Sequence, residues 1–322
     1  MIILCATEFT LREVLMKYFN RDNAKIYYKE WSCASTPKAV ILIVHGMAEH
    51  ISRYSDFANF LNKGEIDVLG MDLRAHGQTG SEMNSLGHFA NDDWNNILKD
   101  IEYLLNIKKD EYHKKYGKNI PFFILGHSMG SFITRNFINE YDAKLSGIII
   151  MGAGNADNPV LYNITRLITT FGEKKKIAKF VHKSAFKSNN DKISDPKTTF
   201  DWLSTDSNEV KKYIEDSFCG MYMTNGFYNE FMKGMQKISK LEKKNLHKKT
   251  LADTPILFIS GKDDPVGGYG KFVESAREKY IRNGNKKTSL ILYDGMRHEV
   301  LNEKDRARVY SDIKLFIENC IG

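Results

Sequence analysis

Residues 121–137 read PFFILGHSMGSFITRNF, and this stretch decides the fold. Residues 121–125 form a short apolar run typical of a buried strand, and the residues after Ser128 have helical spacing. Between them lies the pentapeptide GHSMG at residues 126–130. So tight a turn strains the serine backbone, and flanking glycines relieve the crowding. The bare pentapeptide also occurs by chance in loops, but the strand before it and the helix after it favour an exposed, nucleophilic Ser128.

Strand and helix patterns alternate on both sides of this stretch. Strand patterns lie at residues 24–31, 39–44, 66–71, 121–125, 145–151, 255–259 and 289–293. Helical patterns lie at residues 52–62, 92–109, 128–141 and 303–319. The run AVILIV at 39–44 is apolar throughout, as in a strand buried on both faces. The alternation predicts an α/β fold with a mostly parallel central sheet flanked by helices.

The alternation stops between about residues 155 and 250, where helical patterns rich in aromatic residues and methionine replace it. We therefore expect a helical cap inserted into one α/β domain. The predicted limits are 1–152 for the first part of the core, 153–252 for the cap and 253–322 for the second part. The cap would cover the carboxyl ends of the strands. Its aromatic residues and methionines either line a tunnel for an acyl chain or form the cap's own small core.

The composition, with 322 residues, 42% hydrophobic residues and a mean hydropathy of −0.42, fits a large domain with an insertion. No apolar run approaches the ~20 residues that cross a bilayer. The N-terminus Met1–Thr7 lacks the basic region of a signal peptide, which predicts a cytoplasmic location. The four cysteines include no Cys-x-x-Cys pair, so we expect free thiols, no metal site and no cofactor.

The net charge of +7 comes from one segment. Ala153 to Thr250 contains 18 Lys/Arg and 11 Asp/Glu, a surplus of 7, so the rest of the chain is neutral. Without an arginine-rich or zinc-finger pattern, this distribution argues against a nucleic-acid partner. Lys174–Lys176 and Lys179 stand beside apolar residues such as Phe180. This cluster indicates either peripheral contact with an anionic membrane surface or an ordinary solvated helix face.

A serine nucleophile needs a base, and the base needs an acid that orients it. In this fold the acid and then the histidine follow the serine along the chain, each after a strand. Asp264 and His298 satisfy that order, so we expect a catalytic triad of Ser128, Asp264 and His298. Asp263 and Asp157 are alternative acids. Asp263 and Asp264 also precede a proline and could form only a turn, and a lone loop histidine is often a surface residue.

An acyl-transfer site also needs donors for the oxyanion. We expect the backbone amide of Met129, directly after the nucleophile, to be one donor. The second should come from the loop at residues 45–50, and Met47 is the candidate. Gly46 would let that loop approach the substrate closely.

The loop at residues 45–50 also contains His45, Glu49 and His50, which could be interpreted as metal ligands. Their spacing, with no further ligand nearby, favours hydrogen bonds that hold the loop in place. Asp72, after the following strand, is likewise predicted to be structural because it precedes the nucleophile.

Six segments together resemble the monoacylglycerol lipase and lysophospholipase branch of the α/β-hydrolases, also described as serine-aminopeptidase-like. They are VHGMAEH, MDLRAHGQTG, GHSMG, FDWLSTD, SGKDDPVGG and GMRHEVLNE. The resemblance runs from about residue 25 to the C-terminus and includes the cap. It implies that Ser128, Asp264 and His298 are the triad, with Asp264 in the acid position before the proline. Ala75 is a departure, because the family usually has glycine there.

These features predict a hydrolase that cleaves monoacylglycerol-like or lysophospholipid-like esters through an acyl-enzyme. An aminopeptidase is an alternative, although its substrate's amino group calls for carboxylates and the cap is basic. A non-catalytic binding protein of the same fold is another alternative, but such proteins typically lack one or more triad residues.

Overall fold

The computed structural model describes residues 16–243 and 249–322. The predictions made for Met1–Thr7, including the cytoplasmic location, lie outside the described residues. Eight strands form one sheet: β1 (Lys17–Arg21), β2 (Ala24–Trp31), β3 (Ala39–Val44), β4 (Ile66–Met71), β5 (Phe122–His127), β6 (Gly147–Met151), β7 (Ile256–Gly261) and β8 (Thr288–Tyr293).

The strand order in the sheet is β1-β2-β4-β3-β5-β6-β7-β8. β2 is antiparallel to β1 and to β4, and the remaining neighbours are parallel. The prediction of a mostly parallel sheet is therefore confirmed. Because parallel strands from β3 to β8 point the same way, the loops after them meet at one edge of the sheet.

Eleven helices are described: α1 (Ser55–Lys63), α2 (Gly77–Glu82), α3 (Asp93–Tyr116), α4 (Met129–Glu140), α5 (Pro159–Phe171), α6 (Lys179–Phe186), α7 (Ser207–Glu215), α8 (Asn225–Lys243), α9 (Lys249–Asp253), α10 (Lys271–Arg282) and α11 (Arg306–Ile321). Single 3₁₀ turns lie at Ile51–Tyr54, Asp201–Leu203 and Val300–Asn302. In the described parts of the chain, no helix has both the length and the apolarity needed to cross a membrane.

The two faces of the sheet have separate apolar cores. Along β3, Val40 and Leu42 belong to one core, whereas Ile41 and Ile43 belong to the other. The first core includes side chains of α3, α4, α8 and α10, and the second includes side chains of α1 and α11. Successive side chains of a strand point to opposite faces, so a strand covered on both sides is apolar at most positions, as β3 is throughout.

The segment between β6 and β7 consists of α5 to α9 and their connections in its described part, with an isolated bridge between Ile177 and Thr224. The limits 153–252 for a cap stay a prediction. Helix α8 packs closely on the core, since a Cβ added to Gly234 would lie 2.0 Å from the Trp94 ring.

A buried ion pair joins α8 to α4. Arg135 donates two hydrogen bonds to Glu242, of 2.8 and 2.7 Å, and both side chains are fully buried. Such a two-pronged contact fixes the orientation of both side chains. The helix that starts at the strained serine is therefore tied directly to the inserted segment.

Candidate active site

Ser128 stands on the sharp turn between β5 and α4. Its backbone has φ 52° and ψ −118°, in a region that non-glycine residues seldom adopt. A Cβ added to Gly126 would lie 2.3 Å from the nearest atom, and one added to Gly130 would lie 2.0 Å from the Val44 carbonyl. The two glycines flanking Ser128 therefore permit a turn that any larger residue would obstruct.

Asp264 and His298 meet after β7 and β8. Their contact is a 3.0 Å hydrogen bond from His298 Nδ1 to Asp264 Oδ1, and both side chains are buried. Asp264 also accepts hydrogen bonds from the Val266 amide at 2.8 Å and from the Ser260 hydroxyl at 3.0 Å. These bonds fix the carboxylate and, through it, the imidazole ring. Because Nδ1 of His298 is hydrogen-bonded to Asp264, its Nε2 is the nitrogen that remains available for proton exchange.

The two groups shift each other's pKa. Burial alone would raise the pKa of Asp264, but the charge and hydrogen bond of His298 outweigh it and lower that pKa. Burial would lower the pKa of His298, but the Asp264 carboxylate outweighs it and raises that pKa. The arrangement therefore favours an ionised Asp264 and makes His298 a stronger base.

The other two candidate acids make different contacts. Asp263 is exposed, whereas its chain neighbour Asp264 is buried. Asp157 forms a 2.6 Å ion pair with Lys279 on α10. Of the three carboxylates, Asp264 is the one that contacts His298.

Aromatic rings surround the His298 imidazole. The His127 ring, next to Ser128 in the chain, lies 4.9 Å from it between centroids, and the Trp202 ring lies 5.1 Å from it. Trp202 belongs to the inserted segment, and its carbonyl accepts a hydrogen bond from the His298 amide at 3.4 Å. Gly152 closes another side, since a Cβ there would lie 3.1 Å from the ring. The sequence pattern alone did not identify Trp202 as a neighbour of His298.

The loop at residues 45–50 lies beside Ser128. A Cβ added to Gly46 would lie 3.2 Å from the Ser128 Cβ, which puts Met47 next to the serine as well. Met129 is the first residue of α4, and the first amides of a helix have no partner within it. Met47 and Met129, the two residues expected to donate to the oxyanion, are thus the chain neighbours of Gly46 and Ser128, and their role as donors stays a prediction.

A buried charge network supports this loop. Glu49 accepts hydrogen bonds from the Gly46 amide at 2.6 Å and from the Tyr54 hydroxyl at 2.9 Å. Arg53 links Glu49, at 2.8 Å, to Glu299, at 2.7 Å. Since Glu299 follows His298 in the chain, Arg53 ties the loop beside Ser128 to the loop of the base. Sequence reasoning missed Arg53 and Glu299, although Glu299 lies in the segment GMRHEVLNE.

The two loop histidines make structural hydrogen bonds. His45 Nε2 accepts from the Leu73 amide at 3.0 Å, so its Nδ1 donates to the Gly46 carbonyl at 2.8 Å. Burial lowers the pKa of His45 to about 4, which keeps it neutral. His50 Nε2 lies 2.8 Å from Asp216 Oδ2 in the inserted segment. Cys219 lies close to this pair, so three possible metal-ligand atoms lie within 4.8 Å of one another. The contact between His50 and Asp216 is a direct hydrogen bond.

Asp72 also joins two loops. Its carboxylate accepts hydrogen bonds from the Ile51 amide at 2.9 Å and from the Gln78 amide at 2.7 Å. Ala75, in the same turn, has φ 66°, a conformation that glycine adopts more easily. The departure from the family's glycine therefore falls on a strained position and leaves Ser128, Asp264 and His298 unchanged.

The chain is similar to several known hydrolases. A family model described as Serine aminopeptidase, S33 matches residues 35–305. The chain is 25% identical over 307 residues to the monoglyceride lipase homolog of Monkeypox virus, covering 94% of this chain and 97% of the relative. It is 26% identical over 316 residues to the monoglyceride lipase of Saccharomyces cerevisiae, covering 94% and 93%. A thermostable carboxyl esterase from Bacillus coagulans matches the structure with a TM-score of 0.86 at 25% identity, covering 96% and 99%.

Proposed function

The chain belongs to the serine aminopeptidase family of α/β-hydrolases, and from this premise we propose that it cleaves monoacylglycerol-like or lysophospholipid-like esters through an acyl-enzyme. Family membership confirms the resemblance that the sequence motifs indicated. The named relatives and the carboxyl esterase match identify the chain as a hydrolase of carboxylic esters. The observation that carries the mechanism is the buried contact between Asp264 and His298 at the sheet edge where Ser128 lies on its strained turn.

In the proposed reaction, the Ser128 hydroxyl attacks the ester carbonyl while His298 Nε2 accepts its proton. Asp264 holds the imidazole and stabilises the imidazolium that forms. The amides of Met47 and Met129 donate to the oxyanion. The tetrahedral intermediate collapses as the alcohol leaves with the proton from His298. Water, deprotonated by the same base, then releases the fatty acid and restores Ser128.

The substrate class rests on relatives and on the inserted segment. The viral and yeast relatives are a monoglyceride lipase homolog and a monoglyceride lipase, which favours a lipidic ester here. The described inserted segment also places the apolar Trp202 ring against His298, next to the position that the acyl group of a substrate would occupy in the proposed reaction.

The nucleophile is tested by substitution. Replacing Ser128 by alanine should lower kcat for a nitrophenyl ester by roughly 10⁶-fold, as expected when a triad serine is removed. The same variant should no longer react with a fluorophosphonate probe. Ser311→Ala, at an exposed serine on α11, is the control and should behave like the wild type. Undiminished turnover by the Ser128→Ala variant would contradict the proposal, and a wild-type chain that stays unlabelled would indicate a non-catalytic binding protein.

The ester preference needs a separate experiment. A panel of monoacylglycerols, lysophospholipids and aminoacyl amides should show the highest kcat/KM on the esters. Glu49 and Glu299, two carboxylates close to His298, already pair with Arg53 and so are not available to a substrate's amino group. A preference for aminoacyl amides would replace the ester proposal with the aminopeptidase alternative.

A further inference from the structure

The backbone carbonyl of Ala48 accepts two hydrogen bonds from the inserted segment. The Tyr213 hydroxyl on α7 donates to it at 2.9 Å, and the Gly220 amide donates to it at 3.0 Å. Ala48 belongs to the loop at residues 45–50, which lies beside Ser128. The inserted segment therefore holds this loop directly, through two donors on one carbonyl.

These two bonds support a strained backbone. The φ of Ala48 is 55°, in the left-handed region where a residue with a Cβ is disfavoured. The free-energy cost of that conformation is comparable to the contribution of one buried hydrogen bond. Loss of one bond to the Ala48 carbonyl should therefore be enough to shift the loop toward other conformations.

The Met47 amide lies between two fixed carbonyls of this loop. On one side, His45 Nδ1 donates to the Gly46 carbonyl at 2.8 Å, and this carbonyl shares a planar peptide group with the Met47 amide. On the other side, the Ala48 carbonyl is held by Tyr213. The direction of the Met47 N–H bond thus depends on a contact from the core and on a contact from the inserted segment.

Tyr213 is itself held in place. Its buried ring lies 5.1 Å from the Phe200 ring between centroids, and the Arg53 guanidinium lies 4.8 Å from its centroid. Burial raises the pKa of Tyr213, which keeps the hydroxyl protonated as a donor. Because phenylalanine would keep both ring contacts, Tyr213→Phe removes the hydroxyl alone.

A second contact joins the inserted segment to the same loop. Asp216 Oδ2 lies 2.8 Å from His50 Nε2, and Asp216 Oδ1 accepts a hydrogen bond from the Phe218 amide at 2.9 Å. The Cys219 amide donates to the Asp216 carbonyl at 3.0 Å. These bonds shape the turn that leads to Gly220, so Asp216 both contacts the loop and supports its second donor.

We propose that Tyr213 is a positioning residue for ester hydrolysis, which acts through the Ala48 carbonyl on the oxyanion donor Met47. The inference rests on the proposed function, because that function assigns the Met47 amide to the oxyanion. A donor stabilises the oxyanion best when it is aligned before the reaction, so a displaced amide slows the chemical step without weakening substrate binding. The inserted segment then contributes to catalysis as well as to the surroundings of the substrate.

Steady-state kinetics of Tyr213→Phe test this proposal. We expect kcat for a nitrophenyl ester to fall about tenfold, less than the roughly 10²–10³-fold loss on removing an oxyanion donor, with KM changed by less than about twofold. The pH midpoint of kcat/KM should stay in place, because His298 keeps its contact with Asp264. Tyr162→Phe is the matched control and should keep the wild-type kcat. Tyr162 also belongs to the inserted segment, and its hydroxyl donates to the Asn155 carbonyl at 3.2 Å.

A trifluoromethyl ketone inhibitor gives a readout that a purely structural role of Tyr213 would not move. Its adduct with the serine carries an oxyanion, so Tyr213→Phe should raise its Ki in proportion to the fall in kcat/KM. Asp216→Ala removes the second contact and should change kcat and Ki in the same directions. Glu215→Ala is its control, since the neighbouring Glu215 is exposed and pairs with Lys211 on the same helix.

Four results would overturn the role of Tyr213. They are wild-type kcat and Ki in Tyr213→Phe, an equal loss in Tyr162→Phe, a raised KM with unchanged kcat, or a shifted pH midpoint. The third would assign Tyr213 to substrate binding, and the fourth would show that the substitution disturbs His298. Undiminished turnover by Ser128→Ala would contradict the proposed function itself, whereas wild-type kinetics of Tyr213→Phe would contradict this inference alone.

Discussion

The His298 imidazole is subject to two opposing effects. Burial disfavours its charged form, and the Asp264 carboxylate favours that form more strongly, so the pKa is raised from 6.5. A group with a raised pKa contributes stability that is fully present below pH 6.5 and is lost as the pH rises through the folded value. The lowered pKa of Asp264 contributes above pH 3.8 and is lost as the pH falls through its folded value. Between about pH 4 and 6.5 both contributions stabilise the contact.

The same shift determines how activity depends on pH. A base must be neutral to accept the Ser128 proton, so kcat/KM for a soluble ester should fall as the pH drops through the pKa of His298. We expect the midpoint of that fall above 6.5. Asp264→Asn removes the carboxylate and should move the midpoint downward, because burial then dominates. A wild-type midpoint below 6.5, or one that Asp264→Asn leaves in place, would contradict the assignment of Asp264 as the orienting acid.

Ala75 offers a test of backbone strain. With φ 66°, it adopts a conformation in which a Cβ is unfavourable, so Ala75→Gly should raise the free energy of unfolding by about 0.5–1 kcal/mol. Ala58→Gly in α1 is the matched control, since Ala58 is also buried but helical. This substitution should lower the free energy of unfolding by about 1 kcal/mol. Urea unfolding measures both. A loss of stability in Ala75→Gly would show that its buried methyl group outweighs the strain.

Among the elements, α4 and α8 depend on each other through Arg135 and Glu242. Glu242→Gln leaves a buried guanidinium without its counter-charge and should lower the free energy of unfolding by about 3 kcal/mol. Glu215→Gln, which breaks an exposed pair with Lys211, should change it by less than about 0.5 kcal/mol. Urea unfolding of the two variants compares the buried pair with the exposed one. A similar loss of unfolding free energy in both variants would mean that the buried pair stabilises the protein no more than the exposed pair does.

The helices and strands differ in how well their sequences predict them. The fully buried β3, β5 and β7 stand out because most of their positions are apolar. The edge strand β1 was not predicted, because it pairs with β2 alone and its side chains are largely exposed. The helix predicted at residues 92–109 extends to Tyr116 in the structure. Its last turns are polar and solvated, so no apolar spacing indicated that they are helical. In α5, periodicity indicates a helix but not that its apolar face points outward, which depends on the polar contacts with α8.

In the whole molecule, topology explains why part of the site was predictable. Ser128, Asp264 and His298 each follow a strand, and parallel strands deliver such positions to one edge. Their catalytic roles stay predictions, but their positions could be deduced from order alone. Arg53 and Glu299 are 246 residues apart, and no local pattern pairs them. Trp202 reaches His298 only because the inserted segment folds back over the sheet, which depends on the whole tertiary structure.

The bond between Arg135 and Glu242 has a consequence for motion. Swinging α8 away from the sheet as a rigid body would separate two charges where no solvent screens them, so this helix should remain stationary. We expect any movement of the inserted segment during substrate exchange to occur outside α8 and outside α5, which is hydrogen-bonded to it. The buried ion pair thus makes α8 the stationary element relative to which other parts of the inserted segment would have to move.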